Sequence, residues 1–178
     1  MTTKLATLLA ALLLSTGLVA CGGADVSGSV DDENADLANN GEPMDWVTAA
    51  KDATTQFLGH PRLVQVEGAS NSKGVYTWTF TFYGDVMGYA RVEASPKGAK
   101  VVGHGHMIDA PMGAATIETT KVKVGVSDLL SLATKDGVKG KCSHIELSEA
   151  VTAKPAPHWL ATFGKTIYAV NAATGAKE

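Results

Sequence analysis

The stretch VYTWTFTFYG, residues 75–84, alternates aromatic residues with threonine or small residues. Successive side chains of a β-strand point to opposite faces of the sheet, so this period of two predicts a strand with two distinct faces. The aromatic residues are expected on the buried face, because the chain has few other large side chains for a core: Tyr76, Trp78, Phe80 and Phe82. Binding is then expected on the loops or on the opposite face, which carries three threonines: Thr77, Thr79 and Thr81. The alternative is that the aromatic face is exposed and is itself a protein-binding patch.

A helix and two further strands surround this stretch. DWVTAAKDATTQFLG, residues 45–59, has an apolar stripe at helical spacing, which predicts an amphipathic helix with four inward residues: Trp46, Ala50, Ala53 and Phe57. RLVQVEGA, residues 62–69, predicts a strand whose buried face carries Val64 and Val66. YARVEA, residues 89–94, predicts the third strand. These elements define a first helix-plus-three-strand unit over residues 44–106.

The second half of the chain shows the same element order. SDLLSLATKD, residues 127–136, predicts a helix that Ser127 caps and Gly137 ends, with Leu129, Leu130 and Ala133 as its apolar side. Three strand-like runs follow it: CSHIELSEAV, HWLATFGK and TIYAVNA. They complete a second helix-plus-three-strand unit over residues 126–178.

Short sequence echoes link the two units. W-x-x-T-F occurs at Trp78 and again at Trp159, and V-x-A followed by G-A-K occurs at Val92 and again at Val170. Such echoes in the same element order indicate an internal duplication. The predicted fold is therefore α+β, with two tandem antiparallel units whose sheets join or stack. Residues 107–125 between the units are predicted to be a linker; the stretch from residue 101 is expected to continue a strand out of the first unit and then to add a linker strand.

The pattern Val-Asn-Ala-Ala-Thr-Gly, residues 170–175, resembles the ending of the last strand in the PepSY-type domain, which is a helix followed by a three-stranded meander. Trp78 and Trp159 fit the aromatic position that this family has in its middle strand. The tandem arrangement also resembles secreted β-lactamase-inhibitor proteins. These resemblances imply a non-catalytic extracytoplasmic domain, without a cofactor, that binds or restrains another protein, often a peptidase.

The N-terminus has the pattern of an export signal. Lys4 precedes an apolar run over residues 5–14, and Leu-Val-Ala-Cys follows at residues 18–21. This last motif resembles the lipobox of bacterial lipoproteins, which implies that residues 1–20 are a signal peptide and that Cys21 becomes the lipid-modified N-terminus. An ordinary secretory signal with an incidental cysteine and an uncleaved anchor are the alternatives.

The lipobox resemblance also implies a location. The acyl chains on Cys21 would anchor the protein to a membrane outside the cytoplasm. Gly22 follows the cysteine, where an inner-membrane retention signal would have aspartate, so the outer membrane is expected in a Gram-negative cell. In a Gram-positive cell the same signal implies the outer face of the plasma membrane.

Residues 21–43 are predicted to be a disordered acidic tether. Six of the 18 acidic residues of the chain lie in this segment, which has no basic and no aromatic residue. Such a composition cannot bury enough apolar surface to offset the entropy lost on ordering. The remainder of the chain is close to neutral, so no nucleic-acid partner is expected.

His104 and His106 form the one cluster that is typical of a metal or small-molecule site. Residues two apart on a strand point to the same face, so both imidazoles are candidate ligands, with Asp109 as a third. Two exposed histidines near a turn are the alternative. Cys142 is interpreted as a small apolar residue at a strand start rather than an activated thiol.

The sequence contains no motif of a hydrolase nucleophile, a zinc peptidase or a phosphate-binding loop. Glu146 and Glu149 are interpreted as a solvated surface rather than as an acid–base pair. We therefore expect a non-enzymatic, membrane-anchored lipoprotein that binds or inhibits an envelope or secreted protein, with no cofactor. The alternative is a periplasmic lipoprotein that binds a small molecule or a metal through His104 and His106.

Overall fold

The computed structural model describes residues 41–70, 76–86, 88–106, 115–149 and 155–178. In this part of the chain, one antiparallel sheet of seven strands is covered on one face by two short α-helices. The fold is α+β, as the sequence predicts, and consists mostly of sheet.

The helices are Val47–Thr54 (α1) and Val126–Lys135 (α2). The strands are, in chain order, Arg62–Ser70 (β1), Tyr76–Tyr83 (β2), Gly88–Ser95 (β3), Gly98–His106 (β4), Cys142–Glu149 (β5), Pro157–Phe163 (β6) and Thr166–Asn171 (β7). Their order across the sheet is β4-β3-β2-β1-β5-β6-β7. Helix α1 packs on β2, β3 and β4, and α2 contacts β6.

The prediction of two helix-plus-three-strand units is wrong. Four strands follow α1, because the chain makes a tight turn after β3 and returns as β4. Of the two expected arrangements, joined or stacked sheets, the structure has joined sheets, since β1 pairs with β5 and makes the sheet continuous. The linker prediction covers residues 107–125, of which 107–114 lie outside the described residues; residues 115–125 contain a 3-10 turn at Thr119–Lys121 and no strand.

The core lies between the helices and one face of the sheet. Trp78, Phe80 and Phe82 are at most 1% exposed, so the predicted burial of the aromatic face is confirmed for these three residues. The side chain of Tyr76 lies outside the described residues. The apolar side predicted for the second helix is buried as well: Leu129, Leu130 and Ala133. All of these residues belong to one continuous apolar cluster.

A β-bulge in β1 changes which residues face the core. Leu63 pairs with Phe82 and Gln65 pairs with Thr81, so Val64 is the extra residue between them. The bulge places Leu63 on the same face as Val66, and both belong to the core cluster. The predicted burial of Val64 and Val66 is confirmed, at 6% and 0% exposure, but Val64 lies outside the core cluster, because simple alternation cannot account for an inserted residue.

The first helix is shorter than its apolar stripe predicts. Helix α1 ends at Thr54, whose hydroxyl donates to the carbonyl of Lys51 at 2.7 Å, and Phe57 lies beyond its end. Phe57 is 39% exposed, so it is not the core residue that the sequence predicts. Trp46 lies in the 3-10 turn before α1 and packs against the core, as expected.

A residue distant in sequence caps the second helix. The carboxylate of Glu42 accepts hydrogen bonds from the backbone N–H groups of Val126 at 2.7 Å and Ser127 at 3.1 Å. A Cβ at Gly125 would lie 2.7 Å from the carboxylate carbon, so only glycine allows this approach. The predicted cap by Ser127 is wrong, because Ser127 lies inside the helix and Gly125 is at the N-cap position.

The two sequence echoes do not share one register. Trp78 pairs with Ala94 on β3, whereas Trp159 pairs with Val170 on β7. Val92, which matches Val170 in the V-x-A echo, pairs with Phe80 instead. The tryptophan echo and the V-x-A echo are thus offset by two residues, and they cannot both mark equivalent positions.

Candidate functional site

The face of the sheet opposite the helices, here called the open face, carries the predicted threonine row. Thr77 is exposed, Thr79 is half-buried and Thr81 is 8% exposed, so the threonines become more buried along β2 from Thr77 to Thr81. Tyr83 and Tyr89 are cross-strand partners on the same face, beyond Thr81. The row therefore presents a short polar strip bordered by aromatic rings.

Two carboxylates lie side by side at the middle of the open face. Glu67 on β1 is directly opposite Glu146 on β5. Arg91 donates from Nη2 to Oε2 of Glu67 at 3.2 Å, and Gln65 donates from Nε2 to Oε1 of Glu146 at 3.1 Å. Each carboxylate thus has a neighbouring donor, which offsets the repulsion between like charges on adjacent strands.

The two candidate ligand histidines are brought to the helix side of the sheet by a second bulge. Arg91 pairs with Gly103 and Val92 pairs with Val101, so Val102 is the extra residue in β4. His104 then pairs with Ala90, which is fully buried on the helix side. Since cross-strand partners share a face, His104 projects toward the end of α1.

An open cavity of about 460 Å³, here called the histidine pocket, is lined by His104 and His106, and both histidines are exposed, as the alternative interpretation of the sequence expects. The ring of Phe57 stacks on that of His104, with centroids 4.3 Å apart and an interplanar angle of 24°. Asp85 also lines the pocket, and its carboxylate pairs with Nδ1 of His60 at 2.5 Å. The pocket thus offers two imidazoles and a carboxylate beside an exposed aromatic ring.

The described residues of the histidine pocket do not by themselves complete a metal site. Among the described residues, no group of three or more histidine, cysteine, aspartate or glutamate side chains has the spacing of a metal site. Asp109, the proposed third ligand, lies outside the described residues. A stable site for zinc needs three or four ligands held in place.

Cys142 is buried at the start of β5 and belongs to the core cluster. Burial raises the pKa of its thiol to about 11, which disfavours the reactive thiolate. Its Sγ donates to the carbonyl of His144 at 3.4 Å. The structure thus supports the interpretation of Cys142 as a small apolar residue.

The other ionisable residues of the second half are dispersed. His144 and Glu146 are on the open face, whereas Glu149 is 6% exposed on the core side and one of its carboxylate oxygens has no partner among the described residues. His158 pairs with the carboxylate of Glu178 near the C-terminus. Glu146 and Glu149 are on opposite faces, so the interpretation of both as a solvated surface is wrong for Glu149.

Comparison with protein-family models, with curated proteins and with solved structures finds no match. The resemblance to the PepSY-type domain therefore stays a prediction from element order and motif. The lipobox and signal peptide, residues 1–21, lie outside the described residues, as does most of the acidic tether. Neither helix in the described ranges is long and apolar enough to span a bilayer.

Sequence reasoning missed two features of the described fold. One is the role of Glu42 and Pro43, which fall within the predicted tether. Glu42 caps α2, and Pro43 is buried in the fold. The other is a groove beside Trp78, lined partly by the β3–β4 turn. Its sequence signal was a tryptophan on a strand, which does not show whether the indole N–H finds an acceptor.

Proposed function

We propose that this chain is a membrane-anchored extracytoplasmic lipoprotein that acts as a non-catalytic protein-binding or inhibitory module. The anchor is assigned to Cys21 on the strength of the Leu-Val-Ala-Cys motif. The observation that carries the binding role is the open face, which none of the described helices covers. The occupant is an envelope or secreted protein, and the PepSY resemblance favours a peptidase.

The chemistry of the open face fits a protein partner. A row of threonines supplies hydroxyl donors and acceptors, and Tyr83 and Tyr89 supply rigid aromatic area at its end. The adjacent carboxylates of Glu67 and Glu146 favour a partner with a lysine or arginine at the centre of its contact. A surface of this kind resembles the mixed polar and aromatic composition of transient interfaces.

The test is affinity capture from envelope membranes with the full-length protein. The variant Thr77→Arg/Thr79→Arg introduces bulk and charge on the open face, and we expect it to reduce recovery of the partner at least tenfold. Thr48→Arg/Thr119→Arg is the matched control, because both threonines are exposed elsewhere. Equal recovery by the two variants, or no partner with the wild type, would contradict the proposal.

A second candidate function is binding of a small polar molecule in the histidine pocket. The observation that favours it is the bulge at Val102, which turns His104 toward Phe57 and the cavity. Imidazoles beside an aromatic ring suit a small anionic or planar ligand. Calorimetric titration with Zn²⁺ and with small carboxylates tests it; heats unchanged in His104→Ala/His106→Ala would remove this candidate.

A further inference from the structure

A groove of about 470 Å³ lies on the helix side of the first half and is here called the Trp78 groove. Its apolar walls are the indoles of Trp46 and Trp78 together with Ala94 and Pro96. Three charged residues also line it: Glu93, Lys97 and Lys100. Glu93 and Lys100 are cross-strand partners, but neither Lys97 nor Lys100 forms an ion pair among the described residues, so the lining has a net positive charge.

The indole of Trp78 has a buried donor without an acceptor. Trp78 is 1% exposed, and its Nε1–H has no hydrogen-bond partner among the described residues. Leaving a buried donor unpaired costs about 1–3 kcal/mol. An unpaired N–H beside a groove therefore points to an acceptor supplied from elsewhere.

The orientation of the ring directs this donor away from β1. A Cβ at Gly68 would lie 2.5–2.8 Å from Cζ3, Cη2 and Cε3 of Trp78, so the six-membered ring lies over Gly68 in β1. The opposite edge of the indole carries Nε1. That edge is on the side of β3, where Glu93, Ala94 and the β3–β4 turn form the groove.

Trp159 shows how the same chain satisfies a buried indole. Its Nε1 donates to the carbonyl of Val124 at 2.7 Å. Val124 lies in the segment that leads into α2, and its own N–H donates to the carbonyl of Ala172 at 2.9 Å. The acceptor thus comes from chain that runs into the covering helix, not from the sheet.

The chain that runs into α1 approaches the Trp78 groove in a similar way. Gly41 is in the left-handed region with φ +81°, and a Cβ on it would lie 3.0 Å from Cζ2 of Trp46, a residue that lines the groove. The residues before Gly41 are acidic at four positions: Asp31, Asp32, Glu33 and Asp36. Extended chain spans about 3.3 Å per residue, so all four are within reach of Lys97 and Lys100.

We propose that the Trp78 groove is a docking site for the chain's own acidic segment, residues 31–40. A backbone carbonyl of this segment accepts the hydrogen bond from Nε1 of Trp78, and its carboxylates face Lys97 and Lys100. The occupant is favoured by its covalent proximity to Trp46 and by its charge, which is opposite to that of the two lysines.

Docking of this segment would limit the distance between the fold and the membrane to which Cys21 is proposed to be anchored. Only residues 22–30 would remain as a spacer between the lipid-modified Cys21 and the groove. Nine extended residues span about 30 Å at most, so the groove end of the sheet would stay close to the bilayer. This inference does not depend on which protein binds the open face.

Cysteine cross-linking in the full chain tests the docking directly. In a Cys21→Ser background, Ala38→Cys is combined with Ser95→Cys at the groove, or with Ser143→Cys as a control at an exposed position in the second half. A disulfide requires Cα atoms within about 7 Å. We expect oxidised glutathione to link 38 with 95 at least tenfold faster than 38 with 143. Equal rates would overturn the proposal.

The indole signal of Trp78 provides a second readout that a folding defect does not imitate. In the full chain, we expect Asp31→Asn/Asp32→Asn/Glu33→Gln/Asp36→Asn to shift the Nε1–H resonance of Trp78 upfield and speed its exchange at least fivefold. The resonance of Trp159 is the internal control and should stay unchanged. An unchanged Trp78 signal would contradict the proposal.

Charge variants of the groove distinguish the occupant. Lys97→Gln/Lys100→Gln should have the same effect on the Trp78 signal as the acidic substitutions, whereas Lys139→Gln/Lys141→Gln should have none. A synthetic peptide of residues 31–40 added to the full chain should not bind, because the groove is already occupied. Binding of that peptide without an intramolecular cross-link would overturn the assignment and leave the groove to an acidic partner.

Discussion

The two halves of the sheet differ in whether the chain supplies a hydrogen-bond acceptor for the buried tryptophan of each half. In the second half, Trp159 donates to Val124, and the segment that contains Val124 is bonded to the end of β7 at Ala172. In the first half, the indole N–H of Trp78 has no acceptor among the described residues. The histidine pocket and the Trp78 groove both border the strands of this half.

This difference locates the candidate binding features. In the second half the chain itself supplies the acceptor for the buried indole, and the buried atom left without a partner is one carboxylate oxygen of Glu149. The first half has a buried indole donor without a described acceptor, an exposed aromatic ring at Phe57 and two exposed histidines that a bulge places on the helix side of the sheet. We infer that recognition depends on the first half together with Glu146 of β5, and that the rest of the second half stabilises the sheet through the β1–β5 pair.

The largest effect is expected at the contact that orients Trp78. Gly68→Ala places a Cβ 2.5 Å from the ring of Trp78, which is buried and cannot move without displacing the core. We expect the free energy of unfolding to fall by about 3 kcal/mol, measured by urea denaturation.

Gly103→Ala is the matched control for Gly68→Ala. It is a strand glycine of the same half, and a Cβ there would meet nothing within 4 Å. Its expected effect is within about 0.5 kcal/mol. Equal losses in the two variants would show that strand glycine itself, rather than the contact with Trp78, determines the stability.

The next largest effect separates the two tryptophans. Trp159→Phe removes the donor to the carbonyl of Val124 and leaves that buried acceptor unpaired, whereas Trp78→Phe removes a donor that has no described partner. Both changes remove the same ring volume. In the Asp31→Asn/Asp32→Asn/Glu33→Gln/Asp36→Asn background, where the acidic segment is not docked, we therefore expect Trp159→Phe to destabilise the protein by about 2 kcal/mol more than Trp78→Phe in the same denaturation experiment. Equal values would contradict the contrast between the halves.

Much of the fold follows from period-two patterns. The alternation around Trp78 places its aromatic and threonine faces correctly, and Leu129, Leu130 and Ala133 mark the buried side of α2. The errors arise at the bulges. Each inserts a residue without a sequence signal, so Leu63 joins the core and His104 turns to the helix side. The fourth strand, Gly98–His106, was expected only as a continuation out of the first unit, because its glycines are depleted in strands and weaken the pattern.

The candidate site was predictable in its residues but not in its surroundings. The spacing of His104 and His106 predicts a shared face, and the structure places both in one cavity. That Phe57 stacks on His104 depends on where α1 ends, which its apolar stripe does not show. The capping of α2 by Glu42 joins residues more than 80 apart in sequence, and no local pattern encodes such a contact.

A smaller effect is expected at Glu42, which precedes α1 in the chain and caps α2 in the second half. Glu42→Ala removes a carboxylate that accepts from two N–H groups at the start of α2. We expect a loss of about 1–2 kcal/mol, because a capping acceptor and a favourable charge at the helix N-terminus are lost together. Glu118→Ala, which breaks an exposed pair with Lys121, should cost about 0.5 kcal/mol or less. Similar losses in both variants would argue against the capping role.

The smallest expected effect is a loss of stability at alkaline pH, which comes mainly from two titratable groups of the second half. Burial raises the pKa of Cys142 to about 11, and burial together with the bond to Asp136 raises the pKa of Tyr168 to about 12. Both groups are neutral in the fold and their pKa values are 9 and 10 when exposed. Their stabilisation is therefore complete below pH 9 and is lost as pH rises through 11 and 12.

The alkaline loss can be assigned by substitution. Burial also raises the pKa of Tyr83 in the first half, so titratable groups in both halves can contribute to this pH dependence. Because the larger shifts belong to Cys142 and Tyr168, we expect Cys142→Ala/Tyr168→Phe to flatten the unfolding free energy between pH 9 and 11 more than Tyr83→Phe does. If Tyr83→Phe alone abolishes the pH dependence, the first half buries its titratable groups as fully as the second half does. The contrast between the halves would then be limited to the hydrogen bonding of their tryptophans.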